Sequence, residues 1–311
     1  MKDFLWVEKY RPKTVSETIL TDQLKQTFQQ FVDQKNIPNL ILTGNAGVGK
    51  TTIARAMLEE LGCDYIVING SMNGNIDTLR NEIMQFASSV SFTGGRKYVI
   101  LDEADYLNAN STQPALRNFM EEFSKNCGFI LTCNFINKII DPLHSRCAVI
   151  NFQIAKSDMP ALASQFLKRT CGILDNEGIE YEKAVVAEVV GRYLPDWRRV
   201  LNELQRYSAV GRIDTGILSN FQEVSLKTVI QYIKAKDYTS VRKWVGENAN
   251  ADVHTIYRSL YDSASQYVSK NSIPMLVLLI GKYQYQTAFA VDQEINLCCC
   301  LTELMVECEF V

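Results

Sequence analysis

The sequence lacks the features that mark zinc-binding, secreted and membrane-spanning proteins. Its 9 cysteines form no CxxC pair and it has only 2 histidines, His144 and His254, so no zinc site is indicated. Runs such as Cys298–Cys300 stand among apolar residues, which is typical of small buried side chains in a reducing compartment. The longest apolar run, Met275–Ile280, is too short to cross a bilayer, and the N-terminus shows no signal-peptide pattern. We therefore expect a cytoplasmic protein that is neither secreted nor membrane-embedded.

The chain also lacks an excess of positive charge. Its 32 Lys and Arg against 35 Asp and Glu give a net charge of -3, which argues against a broadly basic surface that coats nucleic acid but does not exclude a narrow basic track. Residues 1–212 hold 24 basic and 24 acidic side chains, whereas residues 213–311 hold 8 and 11. The acidity therefore belongs to the C-terminal third of the chain.

Alternating strand and helix patterns occupy the first half of the sequence, from Asn39 to Phe152. Five short apolar runs, NLILT, DYIVIN, KYVILD, GFILTC and AVINF, alternate with segments of helical period. Continuous apolar strands separated by helices predict an α/β fold in which a parallel five-stranded sheet lies between helices. This arrangement is typical of a nucleotide-binding core.

The second half of the sequence reads as helical. Three helices are expected to begin near Ser157, Glu182 and Asp196, and residues 213–311 also show helical patterns. The last stretch, Ala288–Val311, is more apolar than one amphipathic face requires, which fits either an ordinary bundle core or burial against other subunits. With 311 residues, we expect three domains: residues 1–155, 156–212 and 213–311.

The most specific local pattern is GNAGVGKT, a GxxxxGK[ST] motif between a predicted strand and a predicted helix. Such a loop wraps its backbone N–H groups and a helix N-terminus around phosphate. Lys50 would reach the β- and γ-phosphates of ATP, and the Thr51 hydroxyl would ligate Mg²⁺. The other predicted phosphate contacts are Gly44, Gly47, Val48, Gly49 and Thr52.

Two polar sites follow later strands of the predicted sheet. KYVILDEAD ends a strand with Asp102, suited to hold Mg²⁺ through water, and then Glu103, suited to polarise an attacking water. We assign Asp105, the last residue of this run, no catalytic role. ILTCN ends the next strand with Asn134, whose amide is placed to sense the γ-phosphate and the attacking water. Together these motifs predict an ATP hydrolase.

With these motifs in order, the chain resembles the AAA+ superfamily, and SRC at 145–147 resembles clamp loaders of the replication factor C type. The similarity is greatest to the large clamp-loader subunits of T-even-type bacteriophages. It runs nearly end to end and includes EKYRP, the P-loop, NIDTLR, QPALRNFME, PDWRR and DTGILS. The resemblance implies an AAA+ P-loop core, a helical lid carrying the sensor-2 arginine and an all-α collar for oligomerisation, over the three domains given above.

The resemblance also implies roles for individual residues. Arg146 would be an arginine finger acting in trans on ATP bound by a neighbouring subunit, and Arg198 would be the sensor-2 arginine. Gln113 matches a position that couples the nucleotide site to DNA. The N-terminal segment would pack against the adenine and ribose through Val7, Glu8, Lys9, Tyr10 and Ile19.

The resemblance implies a function in DNA replication. ATP binding would assemble a subunit spiral that opens a sliding clamp and grips primer-template DNA, and hydrolysis would release the clamp on DNA. Ile76 and Arg80 would contact DNA phosphates. The family further implies a hetero-oligomer of four copies with one smaller clamp-loader subunit, in the host bacterial cytoplasm if the protein is phage-encoded.

Two other functions fit part of the pattern. A branch-migration helicase shares the AAA+ core, but it usually carries a dedicated DNA-binding module after the lid, where this chain has an acidic, apolar helical third. A nucleotide-binding scaffold subunit could dispense with catalysis, but Glu103, Asn134 and Arg146 are all present. The sequence favours the clamp-loader ATPase over both alternatives.

Overall fold

The structure, a computed structural model, describes residues 4–71, 76–90, 95–209, 211–219, 226–248 and 253–310. It divides into two units, one ending at Ile217 and the other beginning at Leu218. Within the first unit, the predicted division between core and lid at residues 155 and 156 stays a prediction.

A parallel sheet of five strands forms the centre of the first unit, as the sequence predicts. The strands are β1 (Leu40–Thr43), β2 (Tyr65–Asn69), β3 (Lys97–Asp102), β4 (Cys127–Cys133) and β5 (Ala148–Asn151). Their order across the sheet is β2-β3-β4-β1-β5. The carboxyl ends of β3, β4 and β1 are therefore adjacent at one edge, which is where parallel α/β sheets bind ligands.

Helices cover both faces of this sheet. They are α1 (Trp6–Lys9), α2 (Asp22–Asp33), α3 (Lys50–Leu61), α4 (Ile76–Ser88), α5 (Thr112–Glu122) and α6 (Asp141–His144), with 3-10 turns at Ala104–Tyr106 and Ile136–Lys138. On β1, Ile41 packs into one apolar cluster, while Leu40 and Leu42 pack into the cluster on the other face. This alternation buries both faces and explains the continuous apolar runs of the sequence.

Three longer helices follow the sheet: α7 (Met159–Glu177), α8 (Lys183–Tyr193) and α9 (Trp197–Ser208), with the short α10 (Gly216–Ser219) after them. Asp196 begins α9 by accepting a hydrogen bond from the Arg199 N–H at 3.0 Å. A feature that the sequence reading missed is a small parallel ribbon of β6 (Glu180–Tyr181) and β7 (Arg212–Ile213). Strands of two residues are too short to give a periodic pattern.

The second unit is mostly helical. Its helices are α11 (Leu226–Lys234), α12 (Tyr238–Glu247), α13 (Val253–Tyr267), α14 (Ile273–Thr287) and α15 (Gln293–Glu307). They share one apolar core in which Asn296 is buried and donates to Thr287 Oγ1 at 3.1 Å and to Tyr283 O at 3.3 Å. Burial raises the pKa of the Cys300 thiol in this core to about 12, whereas Cys299 is exposed.

No helix in the described ranges is both long and apolar enough to span a bilayer.

Candidate nucleotide-binding site

The loop between β1 and α3 has the backbone geometry of a phosphate cradle. Gly47 and Gly49 have φ angles of 76° and 99°, a region that favours glycine. Gly49 precedes α3 and makes no side-chain cap hydrogen bond, so no capping side chain competes with phosphate for the first-turn N–H groups of the helix. A Cβ at Gly47 would lie 1.8 Å from Asp196 Oδ1, and Gly47 O accepts a hydrogen bond from the Trp197 N–H at 3.2 Å. The loop therefore lies directly against the start of α9.

Lys50 brings the P-loop and the end of β4 together. Its ammonium donates to Gly44 O at 2.8 Å, to Asn45 O at 2.7 Å and to Asn134 Oδ1 at 2.9 Å. The side chain is buried, and this burial lowers the pKa of Lys50. The structure thus joins two residues that lie 84 positions apart in sequence, both predicted to contact the γ-phosphate.

Asp102 is the meeting point of three elements. Its Oδ1 accepts hydrogen bonds from Thr51 Oγ1 at 2.6 Å and from Thr132 Oγ1 at 2.5 Å. Thr132 Oγ1 also accepts from the Glu103 N–H at 3.1 Å, while Glu103 adopts a φ of 56°. Sequence reasoning missed Thr132; the signal was a hydroxyl inside the otherwise apolar strand β4.

Asp105 follows these carboxylates and is buried. Its Oδ2 accepts hydrogen bonds from the backbone N–H groups of Asn134 at 3.2 Å and of Phe135 at 3.1 Å. The segment after β3 is therefore tied to β4 itself through Thr132, and to the segment after β4 through Asp105.

A cleft of roughly 810 Å³, including its part open to solvent, lies beside the P-loop. Nine of the predicted nucleotide contacts line it: Val7, Tyr10, Ile19, Gly47, Gly49, Lys50, Thr51, Thr52 and Arg198. Further lining residues were not predicted: Arg11, Pro12, Thr18, Leu20, Phe166, Arg169, Trp197 and Leu201. The Phe166 and Trp197 rings pack at a centroid distance of 4.5 Å, so the cleft has an aromatic wall on the side of the lid helices.

Two predicted nucleotide contacts have other partners in the structure. Glu8 pairs with Arg11, whose hydrogen bond lowers the pKa of the Glu8 carboxyl. Lys9 contacts Glu177 Oε1 at 2.5 Å, and the Tyr10 hydroxyl donates to the same oxygen at 2.5 Å. The nucleotide contacts of Glu8 and Lys9 stay a prediction, as do those of Gly44 and of Val48, which is buried in the core.

Arg169, on α7, holds the N-terminal segment in place. Its guanidinium donates to Tyr10 O at 2.9 Å and to Glu17 O at 2.8 Å, so it spans the stretch of chain that contributes one wall of the cleft. Burial lowers the pKa of Arg169. No sequence motif marked this residue, because its partners are backbone carbonyls more than 150 positions away.

Arg146 lies away from this cleft, beyond α6. Its guanidinium forms an ion pair with Glu121 and donates to Pro142 O at 2.9 Å and to Ser145 Oγ at 3.2 Å. The hydrogen bond from Arg146 lowers the pKa of Glu121. Arg146 does not line the cleft formed within its own chain.

The remaining predicted residues are spread over α4 and α5. Gln113 is buried; its amide donates to Leu107 O at 3.0 Å and to Lys138 O at 2.9 Å, and its Oε1 accepts from the Ile140 N–H at 2.9 Å. It therefore links the segments that follow β3 and β4. Arg80 is exposed on α4. Ile76 begins this helix, but its side chain lies outside the described residues.

Comparisons with known proteins agree with this geometry. Residues 40–153 match the ATPase family associated with various cellular activities (AAA), and residues 158–219 match the AAA+ ATPase lid domain of sliding-clamp-loader large subunits. The P-loop follows β1, the carboxylate of Asp102 ends β3, and the polar residue Asn134 lies just beyond β4. Together with the family matches, these features define an AAA+ ATPase.

Two similar proteins of known name indicate which group of AAA+ ATPases this chain belongs to. The sliding-clamp-loader large subunit of Enterobacteria phage T4 is 34% identical, covering 99% of this chain and 98% of the relative. The replication factor C small subunit of Methanosphaera stadtmanae is 36% identical over 79% of this chain and 73% of that protein. The chain belongs to the family of clamp-loader ATPase subunits.

Solved structures support the fold alone. The Holliday junction branch migration motor RuvB of Thermotoga maritima has a TM-score of 0.52 at 18% identity, covering 72% of this chain and 78% of that one. The helicase alternative therefore gains no functional support from this likeness.

Proposed function

We propose that this chain binds ATP with Mg²⁺ in the described cleft and hydrolyses it to drive the loading of a sliding clamp onto primer-template DNA. The observation that carries the proposal is the convergence of Lys50, Thr51, Asp102 and Asn134 at the carboxyl ends of three adjacent strands. Lys50 neutralises phosphate charge, the P-loop N–H groups hold the phosphates, and Asn134 contacts the terminal one.

The donor set fits Mg²⁺. Thr51 presents a hydroxyl oxygen to the ion, and the Asp102 carboxylate oxygen, 2.6 Å from that hydroxyl, would hold the ion through water. Hard oxygen donors of this kind are the ones that Mg²⁺ prefers. When bound, Mg²⁺ supplies charge neutralisation at the β- and γ-phosphates. The chain's own contribution is to hold Asp102 in place through Thr132, so that this carboxylate keeps a fixed orientation.

Glu103 is the proposed base. Glu103 directly follows the buried strand β3, and its backbone N–H donates a hydrogen bond to Thr132 Oγ1 in β4. Its carboxylate accepts the proton of the attacking water. Glu103→Gln keeps the shape of the side chain but removes this basicity. We expect it to retain ATP binding and to lose at least 10²-fold in turnover. Glu188→Gln, at an exposed lid position, is the matched control.

Arg146 is proposed to act on the ATP of a neighbouring copy, because it lies outside the cleft of its own chain. Mixing a Lys50→Met chain with an Arg146→Ala chain tests this directly. Each variant alone is inactive, and the mixture should recover part of the activity where an intact P-loop meets an intact finger. A mixture that stays inactive across all ratios argues against action in trans.

The proposed partners are the sliding clamp, primer-template DNA and other subunits, four copies of this chain with one smaller subunit, in the host bacterial cytoplasm. The exposed Arg80 and the start of α4 at Ile76 are the proposed DNA contacts. Charge reversal at Arg80 should lower DNA-stimulated ATPase more than basal ATPase. An equal loss in both would remove the DNA assignment.

Clamp loading itself is measured as clamp retained on nicked circular DNA after gel filtration. The chain with its partner subunit should load clamp only with ATP, whereas Glu103→Gln should bind clamp and DNA without releasing a loaded complex. The Glu188→Gln control should load normally. Clamp retention that is independent of ATP would contradict the proposal.

A further inference from the structure

One buried carboxylate beside the nucleotide site has no part in the chemistry proposed above. Asp105 lies in the 3-10 turn after β3 and is only 5% exposed. Its Oδ2 accepts two hydrogen bonds, from the N–H groups of Asn134 at 3.2 Å and of Phe135 at 3.1 Å. Both donors lie just beyond Cys133, where β4 and its ladder end. One Asp105 oxygen therefore accepts from two N–H groups that a neighbouring strand would otherwise pair.

The held segment carries a functional side chain. Asn134 Oδ1 accepts from Lys50 Nζ at 2.9 Å, so the amide is already directed at the P-loop lysine. The direction of a side chain follows from the backbone that carries it, and here a charged acceptor fixes that backbone. Asp105 also belongs to the same short segment as Asp102 and Glu103. It thus links the proposed Mg²⁺ ligand and base to the proposed phosphate sensor.

The burial of this carboxylate favours a positioning role over simple stabilisation. Its other oxygen, Oδ1, has no hydrogen-bond partner within the described ranges. A buried charge with one oxygen unpartnered carries a large desolvation cost, so its net contribution to stability is small. What the carboxylate does provide is a fixed geometry for two consecutive backbone N–H groups.

We propose that Asp105 is a positioning residue for Asn134. It holds the turn after β4 so that the Asn134 amide stays at the edge of the P-loop. When ATP binds and Lys50 contacts its phosphates, the amide is then in place to contact the terminal phosphate. This inference rests on the proposed role of Asn134 in the ATPase. Without the Asp105 carboxylate, the turn relaxes and the amide leaves its productive position, while the P-loop and the cleft remain intact.

Asp105→Asn tests the inference with a side chain of nearly equal volume. It replaces two charge-assisted hydrogen bonds with weaker ones and adds an NH₂ group with no acceptor at hand. In single-turnover ATP hydrolysis by the full chain, we expect the rate to fall about tenfold or more, since small misplacements of catalytic groups have effects of this size. The ATP dissociation constant should change by less than about twofold, because the cleft and the P-loop are untouched.

The double variant Asp105→Asn/Asn134→Ala distinguishes positioning from general damage. If Asp105 acts through Asn134, the double variant hydrolyses ATP at the rate of Asn134→Ala alone. If the two rate losses multiply, the inference is overturned. Asp105→Glu, which keeps the charge but displaces it by one methylene, should reproduce the rate loss with ATP binding retained, and normal turnover in this variant would likewise count against the inference.

Asn39→Ala is the matched control, because Asn39 Oδ1 accepts from the Phe129 N–H at 3.0 Å near the opposite end of the same strand. It should lower the melting temperature while leaving turnover within about twofold. If Asp105→Asn behaves like this control, losing stability but not turnover, Asp105 is structural and the inference fails. Normal turnover in Asn134→Ala would instead overturn the sensor role itself, a separate failure of the proposed function.

Discussion

Gly47→Ala tests how closely the P-loop and the start of α9 fit together. The added Cβ would stand 1.8 Å from Asp196 Oδ1 and 3.1 Å from Asp196 Cα, so rotating the carboxylate alone leaves a tight contact. The residue also has a φ of 76°, which costs a side chain about 1–2 kcal/mol. Displacing Asp196 from its hydrogen bond with the Arg199 N–H costs about 1 kcal/mol more. We expect a total loss of about 2–3 kcal/mol in the free energy of unfolding.

Two glycines provide matched controls for this variant. Gly62 and Gly49 have φ angles of 65° and 99°, and a Cβ at either would meet no atom of the described chain within 4 Å. Gly62→Ala therefore carries the backbone cost alone, and Gly49→Ala carries it inside the P-loop. Urea unfolding should show Gly47→Ala about 1 kcal/mol less stable than Gly62→Ala. A fluorescent ATP analogue should bind Gly47→Ala about fivefold more weakly than it binds Gly62→Ala. Equal unfolding free energies for Gly47→Ala and Gly62→Ala would refute the close fit.

Three further predictions concern residues outside the P-loop. Iodoacetamide at pH 8 should label Cys299 before Cys300, because burial raises the pKa of the Cys300 thiol to about 12; equal labelling rates would contradict this burial. Asn296→Ala should lower the free energy of unfolding by about 1–3 kcal/mol in a urea titration, since it removes a buried hydrogen-bonding amide. Arg169→Lys should raise the KM for ATP several-fold in steady-state assays with kcat nearly unchanged, since an ammonium replaces the guanidinium fork that spans Tyr10 O and Glu17 O.

The parts of the fold that repeat locally could be predicted from sequence. Each strand of the sheet appears as an apolar run, because both faces are buried, and the helices follow from their 3.6-residue period. The P-loop was predictable for the same reason: Gly44, Lys50 and Thr51 act together within eight consecutive residues. Asp102 and Asn134 could be added because each ends a predicted strand.

The contacts between segments could not be predicted in the same way. Thr132 and Asp105 make their contacts only because β3 and β4 are neighbours in the sheet. The residues of neither segment indicate which strand lies beside which. Arg169 meets the N-terminal segment through backbone carbonyls, which have no side-chain signature. The strands β6 and β7 are each two residues long, below the length at which alternation of apolar and polar residues is visible.

ATP turnover in the presence of the sliding clamp and primed DNA is the decisive assay for clamp-loader activity. We expect clamp and primed DNA together to stimulate ATP turnover by the chain and its partner subunit well above the rate with either one alone. Glu103→Gln should abolish this stimulated turnover while still binding ATP. A turnover rate that neither clamp nor primed DNA changes would contradict clamp-loader activity.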